Sequence, residues 1–87
     1  MGVRSNEVNQ MEYMKYVGEY CRCYRAITLN MTLKRMSELT DINMKTISAF
    51  ENGRSTNMEH FFEYCQLGND TQRQTFIKGF ADFMGLK

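Results

Sequence analysis

The sequence predicts an all-α domain, a compact arrangement of five short helices. Apolar side chains recur at spacings of three and four along most of the 87 residues, which is the period of an amphipathic helix. No stretch alternates apolar and polar residues as a half-buried strand does, and proline is absent. With 43% apolar residues, a chain of this length has enough material for one modest core, so we expect a single folded unit.

The first helix is expected over residues 6 to about 27, with a loop at 27–30. Its apolar residues lie at helical spacings that approach a heptad seam. They are Val8, Met11, Met14, Val17, Cys21 and Tyr24.

Residues 31–54 predict a second and a third helix joined by a tight polar turn. Thr32 and Asn43 are suited to cap the two N-termini, since their side-chain oxygens accept from orphan backbone N–H groups. Asp41 tolerates the left-handed conformation and marks the turn, while Asn52-Gly53 supplies the positive φ that ends the third helix. The apolar positions of this pair are Leu33, Met36, Leu39, Ile42, Ile47 and Phe50.

Two further helices are expected after this pair. Asn57 caps a fourth helix that runs through Leu67 and stops at Gly68. A fifth helix starts at Asn69 or Asp70 and extends to the end of the chain. The apolar residues of the two helices are Phe61, Phe62, Tyr64 and Cys65, then Phe76, Ile77, Phe80, Phe83 and Met84.

The third helix closes on a specific pattern, Phe50-Glu51-Asn52-Gly53-Arg54 preceded by Ser48. Further positions in residues 31–54 fit the same pattern without a gap, namely Thr32, Met36, Ser37, Thr40, Ile42 and Ile47. With these residues the segment resembles the helix-turn-helix of the phage lambda repressor/Cro-like (XRE-type) family of DNA-binding domains. The likeness extends over residues 17–68 and implies a lambda repressor-like fold.

The resemblance implies that residues 43–52 form a recognition helix in the major groove of double-stranded DNA. It places Met44, Lys45, Ser48 and Ala49 where base edges are reached. Expected phosphate contacts are Thr32, Lys34, Arg35, Asn43, Thr46 and Arg54. The base-facing set lacks the Arg, Gln and Asn side chains that make bidentate base pairs, and Leu33 and Asp41 depart from the family pattern.

The charge distribution favours a nucleic-acid partner more than the net charge does. The net charge is only +1, but residues 22–54 carry six basic and three acidic side chains, whereas residues 55–70 carry three acidic side chains and neither Lys nor Arg. A small domain polarised in this way presents one face to phosphate. The alternative is an ordinary solvated surface of mixed charge.

Other classes of function find little support in the sequence. Three cysteines cannot all pair internally and Cys21-x-Cys23 is not a usual zinc spacing, so we expect free thiols and no metal or cofactor. His60 and Cys65 are five residues apart on one helix and poorly aligned for catalysis, so no enzyme is expected. No apolar run reaches membrane-spanning length and no secretory signal is visible, which makes the cytoplasm the expected location and excludes a membrane partner.

The segments that flank the family-like region suggest an assembly. We divide the chain into an N-terminal helical extension (1–16), the lambda repressor-like domain (17–68) and a C-terminal amphipathic helix (69–87). A homodimer is expected, because helix-turn-helix proteins commonly match two half-sites. Its expected interface is Phe76, Phe80, Phe83 and Met84, with Val8, Met11 and Met14 as the runner-up, and packing of both faces within one chain is the alternative.

Two functions from different classes therefore remain open. The first is a small sequence-specific transcriptional regulator, a repressor of the kind carried by phages and mobile elements, that binds operator DNA as a homodimer. The second is a helix-turn-helix scaffold used for protein interaction, as in a phage inhibitor or antitoxin. Lys45 and Ser48 favour DNA, while Leu33, Met44 and Ala49 favour a protein target.

Overall fold

The computed structural model describes residues 2–83 and 85, with side chains from residue 12 onward. It confirms an all-α fold of five helices, and no strand occurs in this described part of the chain. The helices are α1 (Gly2–Cys23), α2 (Leu33–Thr40), α3 (Met44–Glu51), α4 (Glu59–Cys65) and α5 (Asp70–Phe83).

The first helix is longer than expected and ends in an unusual way. α1 begins at Gly2 and continues after Cys23 as a π-helix over Tyr24–Thr28. The wider turn is closed by the amide of Leu29, which donates to the carbonyl of Tyr24 over 2.9 Å. The boundary expected after residue 16 falls inside this continuous helix. The side chains of Val8 and Met11 lie outside the described residues.

The α2–α3 pair forms as its capping residues predict. Thr32 Oγ1 accepts from the amide of Arg35 at 3.0 Å, and Asn43 Oδ1 accepts from the amide of Lys45 at 2.7 Å. Asp41 adopts the left-handed conformation expected of it, with φ 63°.

The three-residue spacing of Leu33, Met36 and Leu39 predicts one buried face of α2, but Leu39 does not lie on it. Met36 is 1% exposed, but Leu39 is 49% exposed. Three residues fall about 60° short of a full helical turn, so two such steps rotate Leu39 about 120° away from Leu33.

The core forms where α1 and α3 cross at close range. A Cβ atom on Gly18 would lie 2.5 Å from the carbonyl oxygens of both Phe50 and Glu51, so only glycine permits this approach. Gly53 ends α3 with φ 75°, as predicted, and its backbone lies against Lys15. The buried apolar residues are Met14, Val17, Cys21, Tyr24, Met36, Ile47, Phe50, Phe61, Tyr64, Leu67 and Phe76.

α4 and α5 complete this core rather than projecting from it. The N-cap position of α4 is Met58 rather than the expected Asn57, although Asn57 Oδ1 accepts from the amide of Glu59 at 3.0 Å. α4 ends at Cys65, two residues before the expected Leu67, and α5 starts at Asp70 as expected.

The expected dimer face on α5 needs a correction. The ring of Phe76 is only 3% exposed and stacks on Tyr24 with a centroid distance of 4.1 Å, so it belongs to the core of its own chain. Phe80 is half-buried and packs on Phe61 at 4.3 Å. Phe83 remains 46% exposed, and Met84 lies outside the described residues. The alternative of packing within one chain therefore holds for Phe76 and for much of Phe80.

No helix in the described residues combines the length and the apolar character that a membrane span requires.

Candidate nucleic-acid interface

The turn between α2 and α3 is held by side-chain hydroxyls. Ser37 Oγ donates to the carbonyl oxygen of Ile42 over 2.6 Å. Thr40 Oγ1 donates to the carbonyl of Met36 over 2.8 Å and accepts from the amide of Ile42 over 3.3 Å. These bonds satisfy backbone groups that the turn leaves without helical partners. The orientation of α3 relative to α2 is therefore fixed before any ligand arrives.

The four residues expected to face bases lie on the part of α3 that reaches solvent, though unequally. Met44 is 46% exposed and Lys45 is exposed, at the first turn of the helix. Ser48 and Ala49 are half-buried one turn later. The accessible surface of α3 is thus concentrated at its N-terminal end.

Ser48 already has an intramolecular partner. The side-chain amide of Asn52 donates to Ser48 Oγ at 3.3 Å and to the Ser48 carbonyl at 2.9 Å. These bonds use acceptor capacity, so the Ser48 hydroxyl keeps its proton for an outside acceptor. Asn52, which the sequence marks only as part of the helix end, thereby orients a candidate base-reading side chain.

All six residues expected to contact phosphate are exposed: Thr32, Lys34, Arg35, Asn43, Thr46 and Arg54. Thr32 and Asn43 use one oxygen each as an N-cap. The hydroxyl proton of Thr32 and the amide protons of Asn43 stay available for phosphate oxygens.

Ion pairs reduce the basic surface that the sequence indicates. Among the described residues, Arg22 pairs with Glu19 at 2.5 Å, Arg35 pairs with Glu38 at 3.5 Å, and Arg25 pairs with Glu51 at 2.7 Å. The Arg35 pair is exposed on both sides and is therefore weak enough to be exchanged for phosphate. No carboxylate within the described residues forms an ion pair with Lys34, Lys45 or Arg54.

Arg25 and Glu51, two of the charges counted in residues 22–54, form a buried network. Glu51 is 6% exposed and accepts from Arg25 Nε at 2.7 Å, from Arg25 Nη2 at 2.9 Å and from the Tyr64 hydroxyl at 2.7 Å. Arg25 Nη1 also donates to the carbonyl of Met31 at 2.6 Å. The network ties the π-helix to the end of α3 and to the segment before α2.

The network keeps Arg25 charged and Tyr64 neutral. The hydrogen bonds to Glu51 raise the pKa of Arg25, so the guanidinium stays charged over the whole physiological range. Burial, and then the hydrogen bond to Glu51, raises the pKa of the Tyr64 phenol, which stays neutral and donates. Arg25 and Glu51 therefore pair with each other inside the protein, and neither side chain is part of the candidate interface.

Lys15 joins the candidate surface from an unexpected direction. It is exposed on α1, within residues 1–16, which the sequence predicts to be an N-terminal extension. Its Cα and Cγ atoms lie 2.7 Å from the position that a Cβ on Gly53 would take, so Lys15 packs against the end of α3. No periodicity links residues 15 and 53, so nothing in the linear sequence signals this neighbourhood.

The three thiols are free, as expected from their number and spacing. Cys21 is buried, and Cys23 and Cys65 are half-buried. Burial raises the pKa of each thiol, which keeps all three neutral and poorly nucleophilic near neutral pH.

Comparison with protein-family models, curated proteins and solved structures found no match to this chain. The resemblance of residues 31–54 to the lambda repressor/Cro-like helix-turn-helix therefore remains an interpretation of the residues themselves.

Proposed function

We propose that this protein is a small DNA-binding regulator of the lambda repressor/Cro-like kind that inserts α3 into the major groove of double-stranded DNA. The observation that carries the proposal is the exposed cationic surface around α3. Lys45 is exposed on its first turn, Arg54 is exposed beyond its end, and Lys15 of α1 lies against Gly53. Their charges are not neutralised by ion pairs within the described residues, so they are available to displace counterions from DNA.

Rigid placement of α3 supports the same proposal. The hydroxyl-bonded turn fixes its N-terminus, and the Glu51 carboxylate anchors its C-terminus to Arg25. A recognition helix held at both ends loses little conformational entropy when it enters a groove. We propose a cytoplasmic protein that acts on operator DNA as a homodimer, because two copies double the number of phosphate contacts and match two half-sites.

A salt titration with duplex DNA tests this function. With Lys34, Arg35, Lys45 and Arg54 each meeting one phosphate, the log–log slope of affinity against salt is about −7 for a dimer and about half that for a monomer. Fluorescence anisotropy with a labelled random-sequence duplex at several salt concentrations gives the slope. A flat salt response refutes DNA binding.

Charge reversal locates the DNA surface. Lys45→Glu on α3 is compared with Lys78→Glu on α5, which makes the same change of charge at another exposed lysine. We expect at least about tenfold weaker binding for Lys45→Glu, equivalent to about 1.4 kcal/mol, and near-native binding for Lys78→Glu. If both variants lose the same DNA affinity, the protein is attracted to DNA by its net charge alone, and docking through α3 is refuted.

Sequence reading is tested by truncating two cations. Lys45→Ala is expected to reduce discrimination among selected sites by about 1–3 kcal/mol if Lys45 reads guanine, whereas Arg54→Ala weakens all sequences alike. Uniform losses in both variants assign Lys45 to phosphate only.

A protein target is the second candidate function, and a specific observation favours it. Leu39 and Met44, on the two sides of the α2–α3 turn, are large apolar side chains that are 49% and 46% exposed. In this case Leu39→Ser abolishes target capture while Lys45→Glu does not, and the DNA titration shows no salt-dependent binding.

A further inference from the structure

The structure contains a cleft of about 360 Å³ between the π-helix and the first turns of α5. Tyr24 and Thr28 line one wall, and Thr71, Thr75 and Phe76 line the other. This volume falls in the lower part of the range of small-molecule sites, about 300–1,000 Å³. The cleft lies outside the candidate DNA surface and plays no part in the proposed function.

One hydrogen bond joins the two walls of the cleft, and a second fixes Tyr24 beside it. The hydroxyl of Tyr24 donates to the carbonyl of Leu67 at 2.6 Å, and the hydroxyl of Tyr20 donates to the carbonyl of Phe76 at 2.7 Å. The ring of Phe76 stacks on Tyr24 at 4.1 Å and on Tyr20 at 5.1 Å, forming an aromatic floor. The site is therefore formed before a ligand binds, which lowers the entropic cost of binding.

The lining selects an uncharged ligand. No charged residue is among the residues that line the cleft in the described part of the chain, so an ion would lose hydration without a counter-charge. The Cys23 thiol at the cleft stays neutral, since burial raises its pKa. The hydroxyls of Thr28, Thr71 and Thr75 both donate and accept, so a ring bearing one polar group finds a partner.

The π-helix connects this cleft to α3. Tyr24 faces the cleft, and the next residue, Arg25, holds Glu51 at the end of α3. π-helical turns are rare and recur at functional sites. A ligand that shifts Tyr24 also moves the adjacent Arg25, which is bonded to Glu51 at the end of α3.

We infer that this cleft binds a small neutral aromatic molecule of one or two rings with a single hydrogen-bonding group, and that occupancy is relayed through Arg25 to α3. The inference is independent of DNA binding, since both the site and the relay are intramolecular.

Indole is the probe, titrated into the full chain and followed by heteronuclear NMR. We expect saturable shifts at residues 28, 71, 75 and 76 with a Kd on the order of 1 mM or tighter. Indole-3-carboxylate, which carries a charge on the same ring system, is expected to bind at least tenfold more weakly. Absence of saturable shifts, or equal affinity for the two compounds, overturns the inference.

Matched tryptophan variants locate the site. Thr75→Trp fills the cleft, and Thr56→Trp makes the same change at an exposed threonine in the loop before α4. With folding of both verified by far-UV circular dichroism, indole binding should fall at least tenfold in Thr75→Trp and be unchanged in Thr56→Trp. Unchanged binding in Thr75→Trp refutes the cleft as the site.

The relay has its own readout. Amide resonances of residues 44–51 should shift in proportion to indole occupancy in the wild-type chain. Shifts confined to the cleft residues refute the relay, and this result does not depend on whether the protein binds DNA.

Discussion

Removal of the Glu51 carboxylate is the sharpest test of the forces that hold α3 in place. In Glu51→Gln, Arg25 keeps only neutral acceptors, the carbonyl of Met31 and one amide oxygen, while its guanidinium remains buried at 9% side-chain exposure. Loss of one partner from a buried ion pair costs about 3–5 kcal/mol, because the remaining charge is desolvated and unpaired. A chain of this size has a free energy of unfolding of only about 4–13 kcal/mol.

The measurement is urea unfolding followed by far-UV circular dichroism. We expect the free energy of unfolding to fall by about 3 kcal/mol or more, with a melting temperature lower by at least about 12 °C. Glu38→Gln is the matched control, because it breaks the exposed pair with Arg35, which is worth about 0–1 kcal/mol.

A double variant separates the pair from the space that it fills. Arg25→Met with Glu51→Leu removes both charges and keeps apolar volume, so it should recover part of the stability lost in Glu51→Gln; the buried Tyr64 hydroxyl, left without its acceptor, limits the recovery. If Glu51→Gln lies within 1 kcal/mol of Glu38→Gln, the buried network contributes no more than a surface pair and the reasoning is refuted.

Three further predictions concern packing, pH and assembly. Gly18→Ala should lower the free energy of unfolding, measured by urea titration, by about 1–3 kcal/mol, because the added methyl group meets the backbone of α3. An unchanged free energy of unfolding would contradict the close α1–α3 crossing. Burial raises the pKa of the Cys21 thiol above its value in the unfolded chain, so the unfolded state loses this proton first. The free energy of unfolding should therefore fall as pH rises past about 8.5, by up to about 1.4 kcal/mol per pH unit. Cys21→Ala should reduce this dependence on pH, and an identical dependence in the variant would exclude the thiol as its cause. Phe83→Glu should convert a dimer to a folded monomer in sedimentation, since Phe83 is exposed whereas Phe76 is a core residue; a variant that stays dimeric places the interface elsewhere.

Local signals in the sequence determined the ends of α2 and α3. Thr32 and Asn43 cap α2 and α3, and Asp41 and Gly53 take positive φ, because each effect depends on the conformational preferences of one residue and its immediate neighbours. The burial of Ile47 and Phe50 likewise follows from helical periodicity alone. Leu39 shows the limit of that rule, since three-residue steps rotate gradually off the buried face.

Only the tertiary structure decided which charges and rings are available at the surface. Arg25 and Glu51 are 26 positions apart and cancel each other inside the protein, whereas Lys15 reaches the end of α3 from α1. Phe76 lies in the core because Tyr20 and Tyr24 of the first helix cover it, so it is not left for a partner chain. Such outcomes depend on how distant helices cross, and neither residue spacing nor composition encodes that geometry in a form that can be read along the chain.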